Sequence, residues 1–155
     1  MPKICKVLIL LVLMLVQVPK TSSSEFKSSI IFRNYDLDNT LFMNRIAIQR
    51  IFTRQDKRWS NGDEILVYIK PMNSIEHKRF LSDVLHMTLY RYERSLSANT
   101  QTGKALPVTE INSDDKMGMI ISNTHGAIGY VNYTVRLNGK QVIVVCDDFS
   151  GCYDK

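Results

Sequence analysis

The chain is poor in the residues that carry most enzyme and metal chemistry. Its 155 residues include three cysteines, three histidines and one tryptophan. No cysteines have the spacing of a zinc site, and none form Cys-x-x-Cys. His77 and His86 stand nine positions apart on one predicted helix. That separation puts them about 180° apart around the axis, too far to share a metal. There is no Gly-x-Ser-x-Gly elbow. The paired carboxylates Asp114/Asp115 and Asp147/Asp148 are sequence neighbours, as solvated or helix-end acids are. These absences argue against an enzyme, a metal centre and a cofactor. No basic run extends beyond Gln55-Asp-Lys-Arg58, which argues against a nucleic-acid partner. The longest apolar run, Val7 to Val16, has ten residues. A membrane span needs about 20. Internal repeats and low-complexity tracts are also missing.

What is present begins with a three-part leader. Met1-Pro-Lys-Ile-Cys-Lys6 is basic, Val7 to Val16 is apolar, and Gln17-Val-Pro-Lys-Thr-Ser-Ser-Ser24 is a polar, small-residue exit. This is the layout of a secretory signal peptide, with Ser22 and Ser24 at the −3 and −1 positions of cleavage. Residues 1–24 are therefore expected to leave, and residues 25–155 to form one exported domain. Lys3, Lys6 and Lys20 leave with the leader and no acid does, so the net charge falls from +5 to +2. Cys5 leaves too. The remaining Cys146 and Cys152 form an even pair in an exported chain, which favours a disulfide over two free thiols. A ring that small, eased by Gly151, contributes about 2 kcal/mol at most. Asn132-Tyr-Thr134 is a glycosylation sequon, with meaning only in a eukaryotic secretory pathway.

Along the expected domain, strands and helices alternate. Ser29 to Asn34 reads as a strand. Residues 34–40 form a loop rich in capping residues, and Leu41 to Phe52 reads as a helix apolar on more than one face. Ser60-Asn-Gly62 signals a turn, and Glu64 to Ile69 a strand. Pro71 breaks the ladder after that strand, and Ser74 reads as the N-cap of a helix from Ile75 to about Met87. A further helix runs from Thr88 to about Ser97, then a polar loop from Ala98 to Leu106. Pro107 to Ile111 is a short extended piece. Asn112 or Ser113 caps a helix that ends near Asn123, with Asp114 and Asp115 complementing its positive end. Ala127 to Val131 is a strand in which Gly129 marks close backbone approach or simple core packing. Tyr133 to Leu137 and Gln141 to Cys146 read as a C-terminal hairpin across Asn138-Gly139. The alternation predicts an α/β fold with a mixed or parallel sheet flanked by helices.

The start of the Ile75 helix is the best candidate for binding. The first N–H groups of a helix lack internal partners and carry partial positive charge. Lys70 lies just upstream and His77 in the first turn. Lys70, Asn73, Ser74 and His77 together could hold a phosphate-like or carboxylate group. Simple capping, with Lys70 solvated and His77 a partly buried helix residue, is the competing explanation.

The succession Ile51-Phe52, Trp59-x-Asn61-Gly62, Ile65 to Ile69, Pro71-x-Asn73-Ser74-x-x-His77-x-x-Phe80 and Gly126-Ala-Ile-Gly-Tyr-Val131 resembles the phosphate-type periplasmic substrate-binding proteins of ABC transporters. Its nearest likeness is to short, single-lobe relatives. The resemblance covers about residues 29–132 and implies one lobe of a type II periplasmic-binding-protein-like fold. It also implies a periplasmic location in a Gram-negative bacterium. In that family a loop with the sense Arg-x-x-Gly-Ser-Gly-Thr offers N–H and hydroxyl groups to phosphate. Here it falls on Lys70-Pro-Met-Asn-Ser-Ile-Glu76. Lys70 stands at the basic position and Ser74 at the serine. Asn73 and Ile75 replace the two glycines, and Glu76 replaces the threonine with a carboxylate that repels an anion. The resemblance implies an exported, non-enzymatic solute-binding-like protein. The alternative is an envelope interaction or sensory module that kept the lobe and lost the ligand.

Overall fold

In a computed structural model the described residues are 30–33, 42–101, 107–131 and 141–146. The strands are β1 (Ile30–Arg33), β2 (Phe42–Asn44), β3 (Leu66–Ile69), β4 (Thr109–Glu110), β5 (Ala127–Val131) and β6 (Gln141–Cys146). The helices are α1 (Arg45–Phe52), α2 (Ile75–Arg79), α3 (Leu89–Thr100) and α4 (Asp114–Asn123). A π turn, Phe80–Val84, continues α2. The strands form one sheet in the order β2-β6-β1-β5-β3-β4. β1 is antiparallel to β5 and β6, whereas β3 is parallel to both β4 and β5. The sheet is therefore mixed, as the alternation of elements predicts.

The centre of this sheet is buried on both faces. Ile128 and Tyr130 of β5 join Val67 and Ile69 of β3 in a cluster with Ile48, Phe52, Phe80, Leu81 and Tyr92. Ala127 and Val131 join Met117 and Ile121 of α4 in a second cluster, and Tyr68 packs against it. Alternate residues of a strand point to opposite faces, so α1, α2 and α3 cover one side and α4 the other. Gly129 lies under α4, where an added Cβ would stand 2.6 Å from Ile121 Cδ1 and 3.0 Å from the Tyr68 carbonyl oxygen. Close backbone approach is thus the reason for glycine at this position.

Three helix starts follow the capping chemistry of the sequence. Ser74 and Ser113 accept hydrogen bonds from the third residue beyond them, His77 N and Lys116 N, and Thr88 does the same for Arg91 N. One predicted element needs correcting. Residues 42–44 are not the first turn of a helix but a strand, parallel to β6 in the register Phe42↔Val144 to Asn44↔Cys146. Asn44 then caps α1 by accepting from Ala47 N at 2.7 Å. Local pattern favoured a helix from Leu41, but a strand partner about a hundred residues away takes these backbone groups first. The helix expected through Met87 also changes form. It becomes a π turn at Phe80 that ends at Val84, and His86 just beyond has a φ of 48°. The leader, the sequon, the Asn138-Gly139 turn and Cys152 lie outside the described residues. Cys146 closes β6.

Trp59 anchors the turn expected at residues 60–62. Gly62 N donates to the Trp59 carbonyl at 2.9 Å, and Trp59 N to the Asp63 carbonyl at 2.8 Å. The indole Nε1 donates to the Gly126 carbonyl at 3.0 Å, and Leu66 N donates to the same oxygen at 3.1 Å. Gly126 has a φ of 75°, and an added Cβ would collide with the Glu64 carbonyl oxygen. Gly126→Ala should therefore cost about 2 kcal/mol or more of stability, from left-handed strain and overpacking together. Urea unfolding would show it as a lower midpoint with an unchanged slope.

Candidate functional site

The parallel strands β3 and β4 deliver their chain to the same edge of the sheet. From there α2 starts on one face and α4 on the other. This is the crevice geometry at which open α/β sheets commonly bind ligands, with two helix starts facing it. The two connections touch. Ile111 N donates to the Ile69 carbonyl at 2.8 Å, and Met72 N to Glu110 Oε1 at 3.4 Å.

The four expected ligand residues are brought to this edge, but their side chains go different ways. Asn73 is exposed and Ser74 half-buried. Ser74 N closes a turn onto the Pro71 carbonyl at 2.8 Å, and Ser74 Oγ accepts from His77 N at 3.1 Å. The Ser74 hydroxyl is thus already engaged as a cap, with lone-pair and donor capacity left over. Lys70 is buried, with 4% of its surface exposed. It donates to the Asn112 carbonyl at 2.9 Å and forms an ion pair with Asp114 in the first turn of α4. An anion arriving here competes with that carboxylate for the charge. Glu76 also sits in the first turn of α2, adding a second negative group.

His77 is completely buried. Its ring packs edge-on to Tyr92 with centroids 5.1 Å apart, and lies near-parallel to Tyr130 at 6.1 Å. Nδ1 is 2.5 Å from the Tyr130 hydroxyl. That hydroxyl also accepts the Lys70 backbone N–H at 3.0 Å. Tyr130 itself stacks on Phe80, with centroids 3.8 Å apart and planes within 4°. Burial holds the His77 pKa down to about 4 and pushes the Tyr130 phenol upward, so both are neutral at pH 7.

Sequence reasoning placed the turn but missed Tyr130 and Asp114 as partners of His77 and Lys70. A strand residue two positions past Ile128 does carry the signal that Tyr130 faces the α2 side. Nothing local indicates that Lys70 reaches across to α4. Among the described residues no group of three His, Cys, Asp or Glu side chains could hold a metal. None of their helices is long and apolar enough to cross a membrane.

No family model matches the sequence, and no curated protein matches it. Solved structures do. An ABC-type phosphate transport receptor from Vibrio cholerae superposes with a TM-score of 0.51 at 16% identity, covering 76% of this chain and 46% of that one. A Clostridium perfringens protein described as a phosphate ABC transporter substrate-binding protein, with bound phosphate, gives 0.57 at 12%, covering 77% and 45%. The likeness is one of fold. The chain spans less than half the length of each neighbour, and both neighbours are described as transport proteins.

The His77 shift has a sign. The folded pKa lies below the unfolded value near 6.5, so the unfolded chain binds the extra proton first as pH falls. His77 should therefore lower stability progressively from about pH 6.5 to pH 4, by about 3 kcal/mol in all, and no further below. Urea unfolding at pH 7 and pH 4 should show a larger acid loss in the wild type than in His77→Gln.

Proposed function

We propose that this chain is an exported, non-enzymatic solute-binding-like protein that recognises a small oxyanion such as phosphate at the β3–α2 turn. The observation carrying the reading is the convergence of the α2 and α4 starts beyond the ends of the parallel strands β3 and β4, bridged by Lys70. In this reading the first-turn N–H groups of α2, the Ser74 hydroxyl and the exposed Asn73 amide meet the anion. Lys70 supplies charge once Asp114 yields it, and His77 holds the turn from beneath. Recognition rests on hydrogen bonds and charge, and no bond is made or broken. The fold shared with two phosphate-transport proteins supports a solute-binding-like role, and the leader-like pattern of residues 1–24 supports export.

A second reading is favoured by the Lys70–Asp114 ion pair and by Glu76. Together they put negative charge where an anion would sit. On this reading the lobe is an interaction or sensory module of the cell envelope that no longer takes a ligand.

Calorimetric titration with phosphate at low salt separates the two. The ligand reading expects heat in the wild type, about tenfold weaker binding in Ser74→Ala, and tighter binding in Asp114→Asn and Glu76→Thr. Silence in the wild type with heat appearing in Glu76→Thr identifies a lapsed site. Silence in all four proteins leaves the interaction module standing.

A further inference from the structure

The polar groups beneath the candidate turn form a chain that the anion reading does not itself require. Tyr130 sits on β5, almost wholly buried, held flat against Phe80. Its hydroxyl meets the two ends of the 70–77 segment at once. At one end it accepts from Lys70 N at 3.0 Å, where β3 stops. At the other it lies 2.5 Å from His77 Nδ1, in the first turn of α2. A phenol has one proton to give. With Lys70 N donating inward, the arrangement that also uses that proton gives it to His77 Nδ1. In that arrangement the ring proton is on Nε2, which has no hydrogen-bond partner among the described residues. The segment between these anchors contains Pro71, the Pro71–Ser74 turn and the Ser74 cap.

We propose that Tyr130 is a positioning residue for this site: its hydroxyl clamps Lys70 N and the His77 ring together, and so fixes the turn that presents Asn73 and Ser74. The inference deepens the anion reading and rests on it for its functional consequence. A turn ordered before the ligand arrives loses less conformational freedom on binding, which raises affinity without any contact to the ligand. The geometry also separates Tyr130 from Tyr92, a second buried phenol. Tyr92 donates to the Phe52 carbonyl at 3.2 Å, at the end of α1 and away from the turn.

The comparison of Tyr130→Phe with Tyr92→Phe tests this. Each removes one buried hydroxyl from the same core. Amide hydrogen exchange is expected to quicken about tenfold or more at Lys70 in Tyr130→Phe and to stay unchanged there in Tyr92→Phe. Phosphate affinity is expected to fall about tenfold in Tyr130→Phe alone. Equal exchange at Lys70 in the two variants, or equal loss of affinity, would reduce Tyr130 to a core residue and overturn the proposal. If the wild type takes no phosphate, the anion reading fails, and the exchange measurement alone still decides whether Tyr130 clamps the turn. The ¹⁵N spectrum of the His77 ring is a second readout. A ring nitrogen shift that moves in Tyr130→Phe and not in Tyr92→Phe supports the clamp, and ring shifts unchanged in both overturn it.

Discussion

The structure depends on β5 being covered from both sides. Its five residues are all buried, and they alternate between the helices α1 to α3 and the single helix α4. A strand in that position can carry little but aliphatic and aromatic side chains, plus glycine where a helix presses closest. Ala127, Ile128, Gly129, Tyr130 and Val131 meet those conditions one by one. β3 and β1 pair on either side of it, so the placement of every other strand follows from this one. The Gly126 carbonyl, just before it, receives both the Trp59 indole and the Leu66 amide. That oxygen ties the 59–64 turn to the sheet.

Much of this was legible in the chain because the signals were local. Ser74, Thr88 and Ser113 announce helix starts through hydroxyls that reach three residues ahead. The apolar runs at Ile65 to Ile69 and Ala127 to Val131 are strands because both faces of each are wanted in a core. What local pattern could not supply was competition from distant segments. Phe42 to Asn44 looks helical until β6 is placed beside it. The π turn at Phe80 is likewise set by what lies around it: Arg45 Nε donates to the Val84 carbonyl at 3.0 Å, and Gln49 Nε2 to the Leu85 carbonyl at 2.5 Å. Both donors come from α1, and no rule of helix periodicity anticipates them.

The candidate site divides in the same way. Its backbone frame was readable, since a strand end, a proline and a capping serine define the turn. Its electrostatics were not. Lys70 looked like a cation facing solvent, yet its stem runs inside and its charge meets Asp114. A buried ion pair of this kind contributes little net stability, because removing two charges from water offsets most of their attraction. Its larger effect is geometric: it ties the strand that precedes α2 to the first turn of α4. His77 is the complementary case, a titratable group kept neutral by burial and given one partner by Tyr130.

The π turn has a consequence for how this lobe tolerates change. A continuous α-helix would lock the rotation of Ser74 and His77 to that of Leu81, Val84 and Leu85. One surplus residue per turn uncouples them. The front half of the segment answers to the turn and to Tyr130, while the rear half answers to the core and to α1. Substitutions at the exposed rim need not disturb the packing behind it, so the seam partly insulates the foundation from the turn.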